Sequence, residues 1–266
     1  MKKKIFFILL LALGAGNIYA QKDLSLEIIA QPGISMGGDY YAFNNIAMDK
    51  ALTLNVKFGA NLRLNLNKYI AISIGLLYDQ MGQKYSDLTH SDDFYTYTEG
   101  KSVSLNYLKI PMLFNYTLNP EEQITFVFSA GFYLGFLISY NDIYKIFDGN
   151  EYFTATASGS SYTSDNNNNN ISSSFMNGNP YNSTDFGGIL AAGIQCKVSE
   201  KISLPIMLNY NIGFSSDIKN VASTYNDKYG AGYRLKLFWG DAKDPNSTSA
   251  FHNSSLGLII GLKINL

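Results

Sequence analysis

The sequence is poor in charged residues, cysteine, proline and histidine. Asp, Glu, Lys and Arg make up only 15% of the 266 residues, and there are one cysteine, six prolines and two histidines. The formal net charge is -1, so no basic surface is present with which to bind nucleic acid. The lone cysteine, Cys196, cannot form an internal disulfide. No metal-spaced His/Cys cluster, glycine-rich phosphate loop or nucleophile elbow occurs, so we expect no cofactor and no metal.

The hydrophobic run at the N-terminus is short. Residues 2–4 are lysines, residues 5–13 are apolar, and small residues lead to Ala20. A helix that crosses a bilayer needs ~20 apolar residues. The pattern therefore predicts a signal peptide over 1–20 and a mature domain over 21–266. A retained anchor helix is the alternative, whereas a lipoprotein is disfavoured because no cysteine follows Ala20 directly.

Aromatic residues and glycine are abundant, with 20 Tyr, 17 Phe and 23 Gly, a composition that suits strands and tight turns. Residues 52–66 alternate strictly, with apolar residues at even positions and polar residues or glycine at odd positions. Such alternation predicts a strand with one apolar and one polar face. The same parity recurs in eight segments, which are 24–36, 52–66, 69–82, 102–118, 122–138, 185–198, 201–215 and 253–266.

The connections between these segments are alternately short and long. The short connections are 67–68, 119–121 and 199–200, and the long ones are 37–51, 83–101, 139–184 and 216–252. Each segment exceeds the ~9 to 11 residues that a tilted strand needs to cross a membrane. The pattern predicts an all-β fold, an eight-stranded antiparallel up-and-down transmembrane β-barrel with short periplasmic turns and long extracellular loops, in the outer membrane.

The apolar face carries more bulky side chains than the inside of an eight-stranded barrel can hold. We therefore predict that this face points outward into lipid. The candidate lipid-facing residues are Leu54, Phe58, Leu62, Ile72, Ile110, Phe126, Leu204 and Leu258. The alternatives are a lipocalin-like soluble barrel with its apolar face inside and a soluble β-sandwich.

The polar face carries the charged residues. These are Glu27, Lys57, Arg63, Asp79, Lys109, Lys197 and Lys263. Because buried charges persist only when they have partners, we predict a lumen plugged by a paired polar network, with Glu27 and Asp79 as partners of Lys57 and Arg63. The alternative is an anion-selective pore, since five of the seven charges are basic.

Two long connections contain distinctive residues. The 139–184 connection includes an asparagine run at 166–170, which predicts a polar tract that does not order itself. Nearby aromatic residues leave open an exposed binding surface. Residues 229–239 alternate again and predict an extracellular strand extension or hairpin, with a ninth crossing as the alternative.

The two histidines are the only candidates for acid-base chemistry at the rim. His90 precedes Ser91 and Asp92, and His252 stands just before the last segment. A His-Asp-Ser grouping can activate a hydroxyl. Solvated loop histidines explain the pattern with fewer assumptions, so we expect no enzyme activity and no catalytic residues.

The fourth and fifth segments carry a family resemblance. Residues 106–116 read NYLKIPMLFNY and residues 129–137 read SAGFYLGFL. They resemble the PorT-like outer-membrane β-barrel family of Bacteroidetes, and the similarity continues through 185–188 and 208–214. The resemblance implies an eight-stranded outer-membrane barrel, and one family member is tied to protein secretion. The chain departs from the pattern at Leu266, where such barrels commonly end in an aromatic residue.

The expected function is a structural or interaction role, with the extracellular loops presented to a protein partner of secretion or of the cell surface. Outer-membrane lipid is the second expected partner, and a monomer is favoured. The alternatives are a small-solute channel and a rim hydrolase that acts on lipids or peptides.

Overall fold

The computed structural model describes eight stretches of the chain. They are 24–36, 49–91, 96–147, 152–158, 161–166, 169–173, 181–214 and 254–266. None of these stretches contains a helix long and apolar enough to cross a membrane. The predicted signal peptide, the 229–239 extension and His252 lie outside the described residues.

The regular elements of the described chain are twelve β-strands. They are β1 (Leu24–Met36), β2 (Lys50–Ala51), β3 (Thr53–Asn65), β4 (Ile70–Ser91), β5 (Thr96–Leu118), β6 (Ile124–Phe147), β7 (Tyr152–Ser158), β8 (Ser161–Asn166), β9 (Asn169–Ser173), β10 (Thr184–Lys197), β11 (Ile202–Gly213) and β12 (Ser254–Asn265).

Eight of the described strands close a barrel. In the order β1, β3, β4, β5, β6, β10, β11, β12, each strand pairs antiparallel with the next. The circle is completed between the last and the first strand, where Leu26 lies opposite Ile264. The predicted eight-stranded up-and-down barrel is confirmed.

The three short connections are tight turns, and side chains stabilise two of them. Asn67 Oδ1 accepts hydrogen bonds from the backbone N–H groups of Tyr69 and Ile70, both at 2.8 Å. Ser199 Oγ accepts one from the Ile202 N–H at 3.1 Å. Asn119 adopts a φ of 50°, a left-handed conformation that asparagine tolerates better than most residues. These turns define the short-turn end of the barrel, and the opposite end is the loop end.

The two faces of the barrel strands follow the predicted parity. Along β11, exposed and buried residues alternate from end to end, with even residues outside. Leu77, an apolar residue at an odd position, is buried accordingly. The parity changes in β6, where Ile138 and Ser139 are both exposed and Tyr140 is buried. The register between β5 and β6 shifts at this point, as expected for a β-bulge.

At the loop end, the strands are longer than the sequence predicted. β4 runs to Ser91, β5 begins at Thr96 and β6 runs to Phe147, so most of the predicted 83–101 loop is a strand hairpin. The strands β7, β8 and β9 add to the same sheet. In and beside the asparagine run, Asn166 pairs with Asn169 and Asp165 with Asn170, which differs from the expected unordered tract. Hydrogen bonds between strand backbones form without apolar side chains. The alternation of apolar and polar residues therefore did not predict these extensions.

Candidate functional site in the barrel lumen

Four charged side chains converge in the lumen and form the four-charge cluster, which consists of Lys57, Asp79, Lys109 and Asp185. Lys109 Nζ lies 3.0 Å from Asp79 Oδ2 and 3.0 Å from Asp185 Oδ2, and Lys57 Nζ lies 3.5 Å from Asp79 Oδ2. All four residues are buried. Two ammonium groups face two carboxylates, so the cluster is balanced in charge, as burial requires.

Hydrogen bonds extend the four-charge cluster across the barrel. Lys57 Nζ on β3 donates to Ser255 Oγ on β12 at 2.7 Å, which bridges over the intervening strand β1. Asn211 Nδ2 on β11 donates to the same hydroxyl at 3.1 Å. Side chains of β3, β4, β5, β10, β11 and β12 thus meet in one network inside the lumen.

Two aromatic rings and a glycine surround the ammonium group of Lys109. Its Nζ lies 3.9 Å from the centre of the Tyr133 ring and 5.5 Å from that of Tyr107, distances at which a cation is attracted to a ring face. Gly135 on β6 lies opposite both Lys109 and Asp185 in the register. Because glycine has no Cβ, the lysine and the carboxylate meet across this strand.

A second group of charges, the turn-end cluster, lies nearer the short turns and consists of Glu27, Arg63 and Lys263. Arg63 Nη1 lies 3.2 Å from Glu27 Oε1, and Arg63 Nη2 donates to Thr117 Oγ1 at 3.2 Å. Lys263 is opposite Glu27 in the β1–β12 register. Arg63 therefore links β3 to β1 and β5, and Lys263 of β12 lies beside this link.

Neutral polar side chains fill the lumen between the two clusters. Asn115 Nδ2 donates to Ser73 Oγ at 3.0 Å, and Ser129 Oγ donates to Asn115 Oδ1 at 2.6 Å. Gln31 Nε2 donates to Asn209 Oδ1 at 2.8 Å. A cavity of about 30 Å³ lies among these groups, with room for about one or two water molecules.

The loop end of the lumen is lined mainly by apolar and aromatic residues, with the buried lysine Lys101 opposite Tyr85. Tyr140 and Tyr181 are buried, and their ring centres are 5.1 Å apart. Further buried residues at this end are Met81, Tyr85, Val103 and Leu105. The short-turn end is open by contrast, with a mouth cavity of about 900 Å³ that Arg63, Lys197 and Lys263 line.

The structure places the predicted lumen residues on the inner face. Six of the seven are buried, whereas Lys197 is half-buried and donates a hydrogen bond to the Pro120 carbonyl. Arg63 pairs with Glu27 and Lys57 with Asp79. The candidate lipid-facing residues lie on the outer face. Leu54, Phe58, Leu62, Ile72, Phe126, Leu204 and Leu258 are exposed, and Ile110 is half-buried.

Sequence reasoning missed Asp185 and the aromatic residues beside Lys109. Asp185, Tyr107 and Tyr133 all stand at odd positions, so the parity rule itself placed them inside. Gly135 gave no signal, because its role depends on which strands lie on either side of it. His90 pairs with Tyr97 in the β4–β5 ladder. The described residues contain no group of three or more His, Cys, Asp or Glu that could hold a metal ion.

Three solved outer-membrane structures resemble this fold. Neisserial surface protein A is 9% identical over 91% of this chain and 97% of its own, with a TM-score of 0.36. Ail of Yersinia pestis is 10% identical over 91% and 98%, with a TM-score of 0.36. The outer membrane protease OmpT from Escherichia coli is 10% identical over 94% and 99%, with a TM-score of 0.41. Identities and TM-scores this low say nothing about the activity of this chain.

The sequence itself matches a family model. A comparison with curated proteins gives no match. The model of the outer membrane protein beta-barrel domain, however, matches residues 19–219, about three quarters of the chain. Together with the closed barrel of alternating strands, this match places the protein in the outer membrane. The chain belongs to the outer membrane protein beta-barrel domain family.

Proposed function

We propose that this barrel is closed in its lumen and acts by presenting the sheet at its loop end to a protein partner outside the membrane. The observation that carries the proposal is the length of β4, β5 and β6, which are 22, 23 and 24 residues long. A membrane crossing uses only ~9 to 11 residues. Roughly 12 residues of each strand, ~40 Å measured along the strand, therefore extend past the bilayer.

The packing of the lumen favours a closed barrel over a small-solute channel. The four-charge cluster joins side chains of several strands at one level, and its charges are buried in pairs. To open a path, at least one of these pairs must separate inside the barrel, which leaves a buried charge without its partner. The interior of an eight-stranded barrel is also just wide enough for side chains to fill.

The outer face supports a monomer surrounded by lipid. Leu54 is 83% exposed and Leu208 is 63% exposed, and large apolar side chains are exposed on every strand of the barrel. An apolar band that surrounds the barrel is the surface that hydrocarbon chains solvate. In this orientation the short turns face the periplasm and the extended sheet faces outward.

The resemblance to the PorT-like family of Bacteroidetes supports a partner in protein secretion or at the cell surface.

We propose a binding role without catalysis. The four-charge cluster and the Arg63–Glu27 pair face inward as ion pairs, which favours a structural role for these charges over acid-base chemistry at the rim. Lipid or peptide turnover by the purified protein that His90→Ala abolishes would contradict this part of the proposal.

Cross-linking in cells tests the role of the loop-end sheet. The wild-type chain is compared with a variant in which a short Gly-Ser linker replaces residues 148–180, and with Glu121→Gln, which alters the opposite end of the barrel. We expect a reproducible cross-linked partner for the wild type and Glu121→Gln, and its loss in the linker variant. Heat-dependent gel mobility verifies that each barrel is folded.

Two results would contradict the proposal. One is recovery of the same partner at the same yield from the linker variant. The other is the failure of the wild-type chain to yield a reproducible partner.

A further inference from the structure

The mouth cavity separates its charges by depth. Arg63, Lys197 and Lys263 line it from the barrel strands, and Arg63 and Lys263 are only 4% and 7% exposed. The charges in the turns are different, because Lys68, Glu121, Glu122 and Glu200 are all exposed. The inner part of the cavity is thus cationic, and the acidic groups lie at the rim.

The ammonium group of Lys263 has no partner among the residues that the structure describes. Within the described part of the chain, it makes no hydrogen bond and no ion pair, although it is more than nine-tenths buried. Lys57 and Lys109, two buried lysines of the four-charge cluster, both have carboxylate partners. A buried ammonium without such a partner is unfavourable unless another group compensates its charge.

The nearest carboxylate is already engaged. Glu27 is opposite Lys263 in the register, but its Oε1 is paired with Arg63 Nη1 at 3.2 Å. Lys197 uses its ammonium group on the Pro120 carbonyl, which carries no formal charge. Within the described residues, Glu27 is therefore the only carboxylate that forms an ion pair with any of these three cations.

The acidic residues at the rim do not cancel this charge. Glu121 is paired with Lys68 at 2.8 Å, and Glu122 and Glu200 are exposed to solvent, where water and salt screen their fields. The inner cations are less screened, because they are surrounded by protein. An anion that enters the cavity therefore meets a net positive field at its inner end.

The cavity also offers hydrogen-bond donors besides the three cations. The amide of Gln195 lines it. Arg63 bonds Glu27, Thr117 and Asn65 with one N–H each, and a guanidinium carries five. The volume of about 900 Å³ is within the ~300 to 1,000 Å³ range of small-molecule sites.

We infer that the short-turn mouth is a binding site for a small soluble anion, whose carboxylate or phosphate group sits against Lys263 with Arg63 and Lys197 beside it. The site is separate from the loop-end sheet. It needs no conduction through the lumen, because the ligand enters and leaves through the same mouth.

Titration calorimetry on the purified full-length chain in neutral detergent tests this inference. Citrate and inorganic phosphate are the probes, each at constant ionic strength with chloride as the background anion. We expect saturable binding of at least one probe. Lys263→Gln should weaken it at least about tenfold, because a hydrogen bond to a charged group is lost.

Lys201→Gln is the matched control, since Lys201 is an exposed turn lysine that does not line the cavity. It should leave the affinity within about twofold, a change well below 1 kcal/mol. If Lys263→Gln does not fold, Lys197→Gln replaces it and should also weaken binding. If neither citrate nor phosphate binds saturably up to about 10 mM, ten times the Kd of a millimolar site, the inference is overturned. An equal loss in Lys201→Gln does so as well.

Discussion

Lys109 on β5 and Asp185 on β10 form an ion pair across the strand that separates them, with Lys109 Nζ 3.0 Å from Asp185 Oδ2. Gly135 of β6 lies opposite both residues. A Cβ at this glycine would lie 3.3 Å from Lys109 Cγ and 3.4 Å from Asp185 Cβ. The absence of a side chain on β6 thus lets the two charges meet, and the lumen packing depends on all three residues.

Asp185→Asn should destabilise the barrel, because it leaves the four-charge cluster with two ammonium groups and one carboxylate. Removing one partner of a buried ion pair costs about 3 to 5 kcal/mol. Urea unfolding in lipid vesicles measures the loss. Glu121→Gln is the control, because it breaks an exposed pair and should lower the unfolding free energy far less than Asp185→Asn does. A loss for Asp185→Asn no larger than that of the control would count against the cluster.

Gly135→Val should also destabilise the barrel, by about 1 to 3 kcal/mol from overpacking alone. Gly135→Ala should be milder, since its Cβ contacts are tight but not prohibitive. The specific claim is coupling, because the valine acts by separating Lys109 from Asp185. In the Asp185→Asn background, Gly135→Val should therefore cost less than in the wild type. Strict additivity of the two changes would refute this role of the glycine.

Leu208→Arg tests the orientation of the outer face. Leu208 lies midway along β11 and is 63% exposed, so an arginine there should cost about 2 to 4 kcal/mol in a bilayer. Ile202→Arg, at the strand end, should cost only about 0 to 1 kcal/mol. Both are measured by unfolding from vesicles. Equal costs at the two positions would argue that the even face is not in contact with hydrocarbon.

The exposed pair Lys68 and Glu121 at the short turns should give a measurable titration signal. The hydrogen bond to Lys68 lowers the pKa of Glu121, and the hydrogen bond to Glu121 raises the pKa of Lys68. The pair's contribution to stability is therefore lost as pH falls through the folded pKa of Glu121 and as it rises through that of Lys68. In Lys68→Gln, the pKa of Glu121 should rise towards its ordinary value. NMR of the Glu121 carboxyl carbon measures it, and an unchanged pKa would show that the pair does not form in solution.

The barrel could be predicted from the sequence because one physical constraint repeats along it. A strand between lipid and a polar lumen must alternate, so the parity of residues 52–66 identified the other strands and the two faces. Short turns were equally clear, since Asn67 and Ser199 are residues that cap turns with their side chains. The pairing of Arg63 with Glu27 followed from placing both on one inner face.

The extensions and the four-charge cluster were harder to predict for two different reasons. At the loop end the outer face of β4 is polar, as Gln80 and Lys84 show, so the strand continues there without the apolar even face that marks a membrane crossing. The contact between Lys109 and Asp185 depends on the closure of the barrel, because 76 positions separate these residues in the chain and only the β6–β10 register brings them together. The bulge at Ile138 also reverses the parity, which hid Tyr140 from a rule based on even and odd positions.

Conductance in planar bilayers tests the closed lumen most directly. Purified wild-type protein should show no steady open channel. A variant that combines Lys109→Ala, Asp185→Ala and Tyr133→Ala removes side chains that fill the lumen at one level, and it should show salt-dependent openings. Steady, salt-dependent open channels from the wild-type protein would contradict the closed barrel.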